Sequence, residues 1–426
     1  MAYDQRQEAE MARCAALPAL AGLLALAGCV TQARLPPPPD LISSAAPDGF
    51  SPQTRLVTID RRDFDKRAPQ LFSRLSQAAT DGTIDYLVIS GGGAGGSFGA
   101  GALVGMTQRH DRPQFEVVTG VSAGALIAPF AYLGPQWDPQ LKAAFAGLGG
   151  FRLPHSATRS VIRRFLFPLD RSGHGALFHL VDKFVTPAMV TAVAHEYECG
   201  RLLFVATTDL DKEETVLWNM GLIAEHGGDA ARRLFRDVLV ASASVPGIFP
   251  PVMIRVRQGT HEYEEMHVDG SVTTSLFAAP LVAQILPMPS LSPQRANLYV
   301  IINSKLVSAP AETQANTLSV LSRSFSADLT YKAREALLIA LEYARSRNME
   351  LRLTEIPPDY PYRGFADFNS AHMQQLFDYG VRCASSGQLW ETADQSLRRN
   401  LQPGASGEGT TTPACPADAG DGHGAF

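Results

Sequence analysis

Two apolar runs in this chain break on glycines and continue as helix-forming sequence. The first is IDYLVI, which runs into SGGGAGGSFGAGALVGM; Ile89 to Met106 holds eight glycines in eighteen residues. The second is FEVVT, which runs into GVSAG and then ALIAPFAYL. A strand that turns through glycine into a helix is the characteristic junction of α/β proteins, and their ligands sit at the carboxyl ends of such strands. The rest of the chain supports this class. Candidate strands at 86–90, 115–119, 202–208, 216–219, 261–268 and 298–303 alternate with candidate helices. The helices are placed at 97–107, 123–132, 139–146, 187–197, 230–242, 274–285, 317–347 and 370–385. LYVIIN is almost continuously apolar, as a strand covered on both faces must be. The expectation is a three-layer α/β/α sandwich around a mostly parallel sheet.

Three chemical patterns overlap at the two junctions. Gly91, Gly93 and Gly96 fit the dinucleotide pattern G-x-G-x-x-G. That reading needs an acid at the end of the next strand. Asp111 and Glu116 have the right distance, but they precede or begin FEVVT, so the pattern is weakly supported. Ser97 sits in a G-x-S-x-G of its own, with six residues between it and the strand end, where it suits a helix N-cap or first turn. Ser122 differs. Gly120-Val121-Ser122-Ala123-Gly124 stands directly between strand and helix, as a nucleophile elbow does. Gly120 and Gly124 permit the tight turn, and the helix N-terminus favours negative charge beside the serine. Gly91, Gly92 and Gly93 then become candidate oxyanion donors, each amide worth about 3 kcal/mol in an acyl-transfer transition state.

A serine nucleophile needs a base. Asp269, in HVDGS, ends a strand and begins another helical segment, so its carboxylate reaches the same rim of the sheet. The competing role for Asp269 is to cap that helix. A triad would need histidine, yet only His372 and His423 follow Asp269, and His267 precedes it on the same strand face. HEYEEMHVD lacks H-E-x-x-H spacing and reads as a half-exposed strand with a solvated acidic face, so no metal site is expected.

The ends are different in kind. Residues 12–28, ARCAALPALAGLLALAG, read as a signal h-region, and LAGC places Cys29 as a lipidated residue of a lipoprotein box. Met11 offers a more ordinary start than Met1. The organisation expected is a signal at 1–28, a Pro-rich tether at 29–54, a folded body at 55–398 and a disordered Gly/Ala/Thr tail at 399–426. The five cysteines are odd in number and far apart, which argues against a disulfide framework. A formal net charge of −5 without a basic cluster argues against nucleic acid as a partner.

In order and spacing, SGGGAGG, GVSAG, ASASVPGIFPPV and HVDGS resemble the patatin-like phospholipase family, with a weaker likeness at MQQLFDYG. The resemblance spans about residues 85–380. It implies a patatin-like α/β/α fold and lipid-ester hydrolysis through an acyl-enzyme. Ser122 would be the nucleophile, Asp269 its base in a Ser-Asp dyad, and Gly91–Gly93 the oxyanion hole, with no cofactor. Gly95 stands where the family often has Arg or Lys, and Ser271 where it often has Gly or Ala. By the same analogy Val30 after Cys29 favours the outer membrane, facing the periplasm. The alternatives are an NAD(P)-binding oxidoreductase and a non-catalytic surface lipoprotein. The apolar stretches at 161–169 and 247–252 are assigned to the core rather than to an acyl groove.

Overall fold

A computed structural model of the chain describes residues 34, 45–57, 61–147, 175–274, 295–307, 312–392, 394–396 and 415. The signal and Cys29, the run at 161–169, His423 and nearly all of the expected helix at 274–285 lie outside them. Ten strands form one sheet: β1 (Ala46–Pro47), β2 (Arg55–Val57), β3 (Thr83–Ile89), β4 (Val117–Val121), β5 (Leu202–Asp209), β6 (Glu214–Asn219), β7 (Val252–Gln258), β8 (His261–Asp269), β9 (Arg295–Ile302) and β10 (Glu350–Glu355). Their order is β1-β7-β8-β5-β4-β3-β9-β10, with β6 and then β2 added beside β5. The five strands β5, β4, β3, β9 and β10 are mutually parallel. Beyond β5 the pairs with β6 and β8 are antiparallel, so the sheet is mixed.

Alternation along the strands builds the two covering layers. In β3, Tyr86 and Val88 face one layer while Leu87 and Ile89 face the other. The first layer contains α1 (Arg61–Ala78) and the long α9 (Thr317–Ser346). The second contains α2 (Gly96–Arg109), α3 (Ala123–Leu133), α4 (Asp138–Phe145), α5 (Ala176–Phe184), α6 (Pro187–Glu198), α7 (Met220–Glu225), α8 (Gly228–Ser242) and α10 (Ser370–Ser385). The chain is therefore an α/β/α sandwich. Half of the glycine run serves this packing rather than a loop. A Cβ on Gly101 would overlap the Phe377 carbonyl and one on Gly380 the Phe98 carbonyl, so α2 and α10 touch backbone to backbone.

Two expectations are corrected. The body begins before residue 55: Ala45 is buried, Ala46 and Pro47 pair with β7, and Arg55 forms a buried ion pair with Glu265. A proline-containing strand is confined to a sheet edge, and β1 is one. Further upstream, Arg34 is hydrogen-bonded to Asp211 at 2.6 Å. The second correction concerns cysteine. Cys383, on α10, is disulfide-bonded to Cys415, with a sequence separation of 32. Neither pattern nor spacing identifies such a pair, because the helix and the distal segment meet only in the tertiary fold.

Candidate active site

The register of β5 decides what meets at the site. Leu202–Ala206 pair with β4, Thr207–Asp209 pair with β8, and β6 pairs along Phe204–Asp209. A strand has two edges, and β6 occupies one of them. β4 and β8 must therefore share the other, running toward each other. β4 ends at Val121 opposite Ala206, and β8 ends at Asp269 opposite the next residue, Thr207. The residue that follows β4 is Ser122. Two segments 147 positions apart are thus brought together by abutting strand ends, and Ser122 Oγ donates to Asp269 Oδ2 at 2.6 Å.

Ser122 has φ 55° and ψ −125°, a conformation that L-residues rarely adopt and that costs about 1–3 kcal/mol. The surroundings hold it there. Its amide donates to Ser242 Oγ at 3.0 Å, and that hydroxyl donates to the Ala206 carbonyl at 2.7 Å. The turn is closed by glycines where backbones collide: a Cβ on Gly120 would overlap the Gly124 carbonyl, and one on Gly124 would lie 2.6 Å from the Ser90 carbonyl. Gly124→Ala is accordingly expected to destabilise the fold by at least about 1–3 kcal/mol, the usual cost of overpacking. A urea denaturation series against wild type measures this, with an unchanged midpoint as the contrary result.

Asp269 is fully buried. Its Oδ1 accepts from the Ser271 amide at 2.8 Å, its own amide donates to the Ser244 carbonyl at 3.0 Å, and its carbonyl accepts from Thr208 Oγ1 at 3.0 Å. It caps the short turn at Gly270–Val272 with one oxygen and receives Ser122 on the other, so the capping role and the contact to serine coexist. Burial pushes its carboxyl up to about 6, against the hydrogen bonds from Ser122 and Ser271.

Ser242 and Ser244, both in the ASASVPGIFPPV block, are thus supports for the serine and the aspartate respectively. Sequence reading assigned the block no role. Its only signal was two serines spaced by one residue after an apolar helix.

The glycine loop flanks the pair. The amides of Gly91, Gly92 and Gly93 bond to none of the described residues, while their neighbours anchor the loop. The Gly91 carbonyl accepts from Ser90 Oγ at 2.7 Å, and the Gly92 carbonyl from the Gly95 amide at 2.9 Å. A Cβ on Gly91 would lie 3.1 Å from Ser122 Cβ, which places this loop against the serine. Position 95 has no room for a basic side chain, since a Cβ there would overlap the Asn303 carbonyl and lie 2.9 Å from the Tyr362 hydroxyl.

Ser122 opens into an apolar cavity. Leu126, Phe130, Leu177, Val181 and Met373 line it, and Ser122 has the one polar side chain among its lining residues. Ile248 and Phe249 line it as well, so the stretch expected to be core contributes to this wall. The reason is that the chain between α8 and β7 crosses the cavity rather than entering the sheet.

Other candidates fall elsewhere. Ser97 is buried inside α2, with its hydroxyl donated to the Phe145 carbonyl at 2.8 Å. Glu116 accepts from the Asp85 amide just before β4, and exposed Asp111 pairs with Arg109. Both acids thus lie toward the opposite end of the sheet from the glycine loop, so they do not complete a dinucleotide site with Gly91, Gly93 and Gly96. His267 contacts Thr207 Oγ1 at 3.0 Å and His372 contacts Asp367 at 2.7 Å; among the described residues no histidine is hydrogen-bonded to Ser122 or Asp269. The end of β8 is also less exposed than its acids implied. Glu265, His267 and Asp209 cluster in the interior, with ligand atoms within 4.8 Å of one another. Arg55 and Lys212 already compensate Glu265, which makes the cluster an ion-pair network joining β2 to β8 and β5.

Residues 87–282 match the family model described as patatin-like phospholipase. Among solved structures, the chain is similar to VipD from Legionella pneumophila, at 14% identity and a TM-score of 0.31, over 69% of this chain and 66% of that one. It is also similar to human GIVD cytosolic phospholipase A2, at 10% identity and a TM-score of 0.34, over 85% of this chain and 66% of that one. The chain thus spans about two thirds of the length of each. No curated protein sequence matches it significantly.

Proposed function

Because residues 87–282 match the patatin-like phospholipase family model, we propose that the chain is a serine acyl hydrolase of lipid esters, working through a Ser122–Asp269 dyad. The observation that carries this reading is the 2.6 Å hydrogen bond from Ser122 to a buried carboxylate at the edge of an apolar cavity. An acyl chain fills the cavity and brings its ester carbonyl to Ser122. Ser122 Oγ attacks the carbonyl carbon while Asp269 Oδ2 takes the proton. The carbonyl oxygen becomes an oxyanion, stabilised by the amides of Gly91–Gly93. Collapse breaks the ester C–O bond, and the proton returns from Asp269 to the departing alcohol. Water then attacks the acyl-enzyme, losing its proton to Asp269; the acyl–Oγ bond breaks, Asp269 returns the proton to Ser122 Oγ, and a fatty acid leaves. None of these steps calls for a metal or organic cofactor.

The pH dependence follows from the state Asp269 must hold. It accepts a proton only as carboxylate, and its pKa is raised to about 6 by burial. The expected kcat/KM rises through an acidic limb near pH 6 and is level above pH 7. A limb near the ordinary carboxylate value, around 4, would contradict the role of this group.

Lipidation at Cys29 completes the proposal and places the enzyme at the bacterial outer membrane, facing the periplasm. The Cys383–Cys415 disulfide favours such an oxidising compartment. Because Arg34 is held by Asp211, only four residues lie between the lipidated cysteine and that anchor, a reach of about 17 Å. The body would then stay close to the bilayer rather than range on a long tether. Purified protein offered acyl esters of phospholipid, lysophospholipid, monoacylglycerol and thioester type tests the reading. Turnover of at least one, lost in Ser122→Ala, supports it; inactivity on all four opposes it.

A further inference from the structure

Phe365 separates two spaces of opposite character. On one side it lines the apolar cavity with Ser122. On the other it lines an open polar cleft that includes Glu312, Ser319, Arg323, Ser326 and Arg363. Its carbonyl accepts from the Ala94 amide at 2.9 Å, so this partition is fastened to the glycine loop itself. Arg323 stands on α9 and Arg363 on the segment between β10 and α10. Both lie outside the segment that matches the family model.

The two guanidinium groups are uncommitted. Neither makes a hydrogen bond or ion pair with a described residue, whereas Arg34, Arg55, Arg112, Arg201 and Arg236 all engage carboxylates. One acid, Glu312, shares the cleft, which leaves the trio with a net positive charge. Each free guanidinium presents a planar fork of donors that matches phosphate oxygens, and both line the same cleft.

We propose that Arg323 and Arg363 form the subsite for the phosphodiester of a phospholipid whose acyl chain occupies the cavity on the other side of Phe365. The inference rests on the hydrolase reading above and adds the substrate's polar half. The ester lies at the glycine loop, its acyl group runs into the apolar cavity, and its alcohol part passes Phe365 toward the arginines.

The test compares a lysophospholipid with the monoacylglycerol of the same chain length, in wild type and in Arg323→Ala/Arg363→Ala. Both arginines are exposed, so thermal unfolding should be unchanged. The expected result is a fall of about 100-fold in kcat/KM for the lysophospholipid, about tenfold per charge-assisted contact, with monoacylglycerol turnover altered by less than about twofold. An equal fall on both substrates, or none on the lysophospholipid, overturns the proposal. Millimolar inorganic phosphate separates the sources of the anion. Competition against lysophospholipid alone, abolished in the double variant, supports a headgroup subsite; inhibition of monoacylglycerol hydrolysis to the same degree marks a site for free phosphate and overturns it. Retained monoacylglycerol turnover also keeps this outcome distinct from failure of the dyad.

Discussion

Ser122→Ala is expected to lower kcat/KM for ester hydrolysis by about 10,000-fold or more, the loss seen when a covalent nucleophile is removed and only binding and oxyanion donors remain. That corresponds to about 5 kcal/mol of transition-state stabilisation. The fold should survive, because alanine keeps the Cβ and the Ser122 amide still reaches Ser242 Oγ. Steady-state kinetics with matched circular dichroism measure both. A variant that keeps a tenth of the activity would mean that another group attacks the ester.

Asp269→Asn is expected to be comparably inactive and yet more stable. The asparagine amide retains an acceptor for the Ser271 amide but presents N–H to Ser122 Oγ, so it cannot take the serine proton. The stability sign follows from the raised pKa. An acid whose folded pKa lies above its unfolded value folds better protonated. The cost of the ionised form is absent below about pH 4 and complete above about pH 6. A shift from 3.8 to about 6 amounts to about 3 kcal/mol, which the neutral amide removes. Urea unfolding at pH 8 should therefore show a higher midpoint for Asp269→Asn, with the gap closing toward pH 4. A lower midpoint at pH 8 would mean that the hydrogen bonds to the carboxylate outweigh its desolvation.

The elbow was legible because its signal is local. A β-rich run, G-x-S-x-G and an apolar helix stand in direct succession, and α3 begins at Ala123 as that succession requires. Asp269 was legible for the same reason, as the acid that ends a strand. What sequence did not show depends on register. The supporting contacts of Ser242 and Ser244 exist because β4 and β8 meet along β5, and no spacing reports that meeting. β7 and β10 escaped notice because arginines and glutamates interrupt their apolar pattern near the margins of the sheet. α1 contains Pro69, which reads as a helix breaker. The glycine run looked like one long loop, whereas its second half lies in α2, where Gly101 and Gly105 meet α10.

The most direct test of the central claim is covalent. Protein treated with a fluorophosphonate probe, digested and mapped by mass spectrometry, should carry one adduct, on the peptide containing Ser122, and Ser122→Ala should carry none. A probe that leaves active enzyme unmodified, or that marks another serine such as Ser97 equally in wild type and variant, would contradict the account.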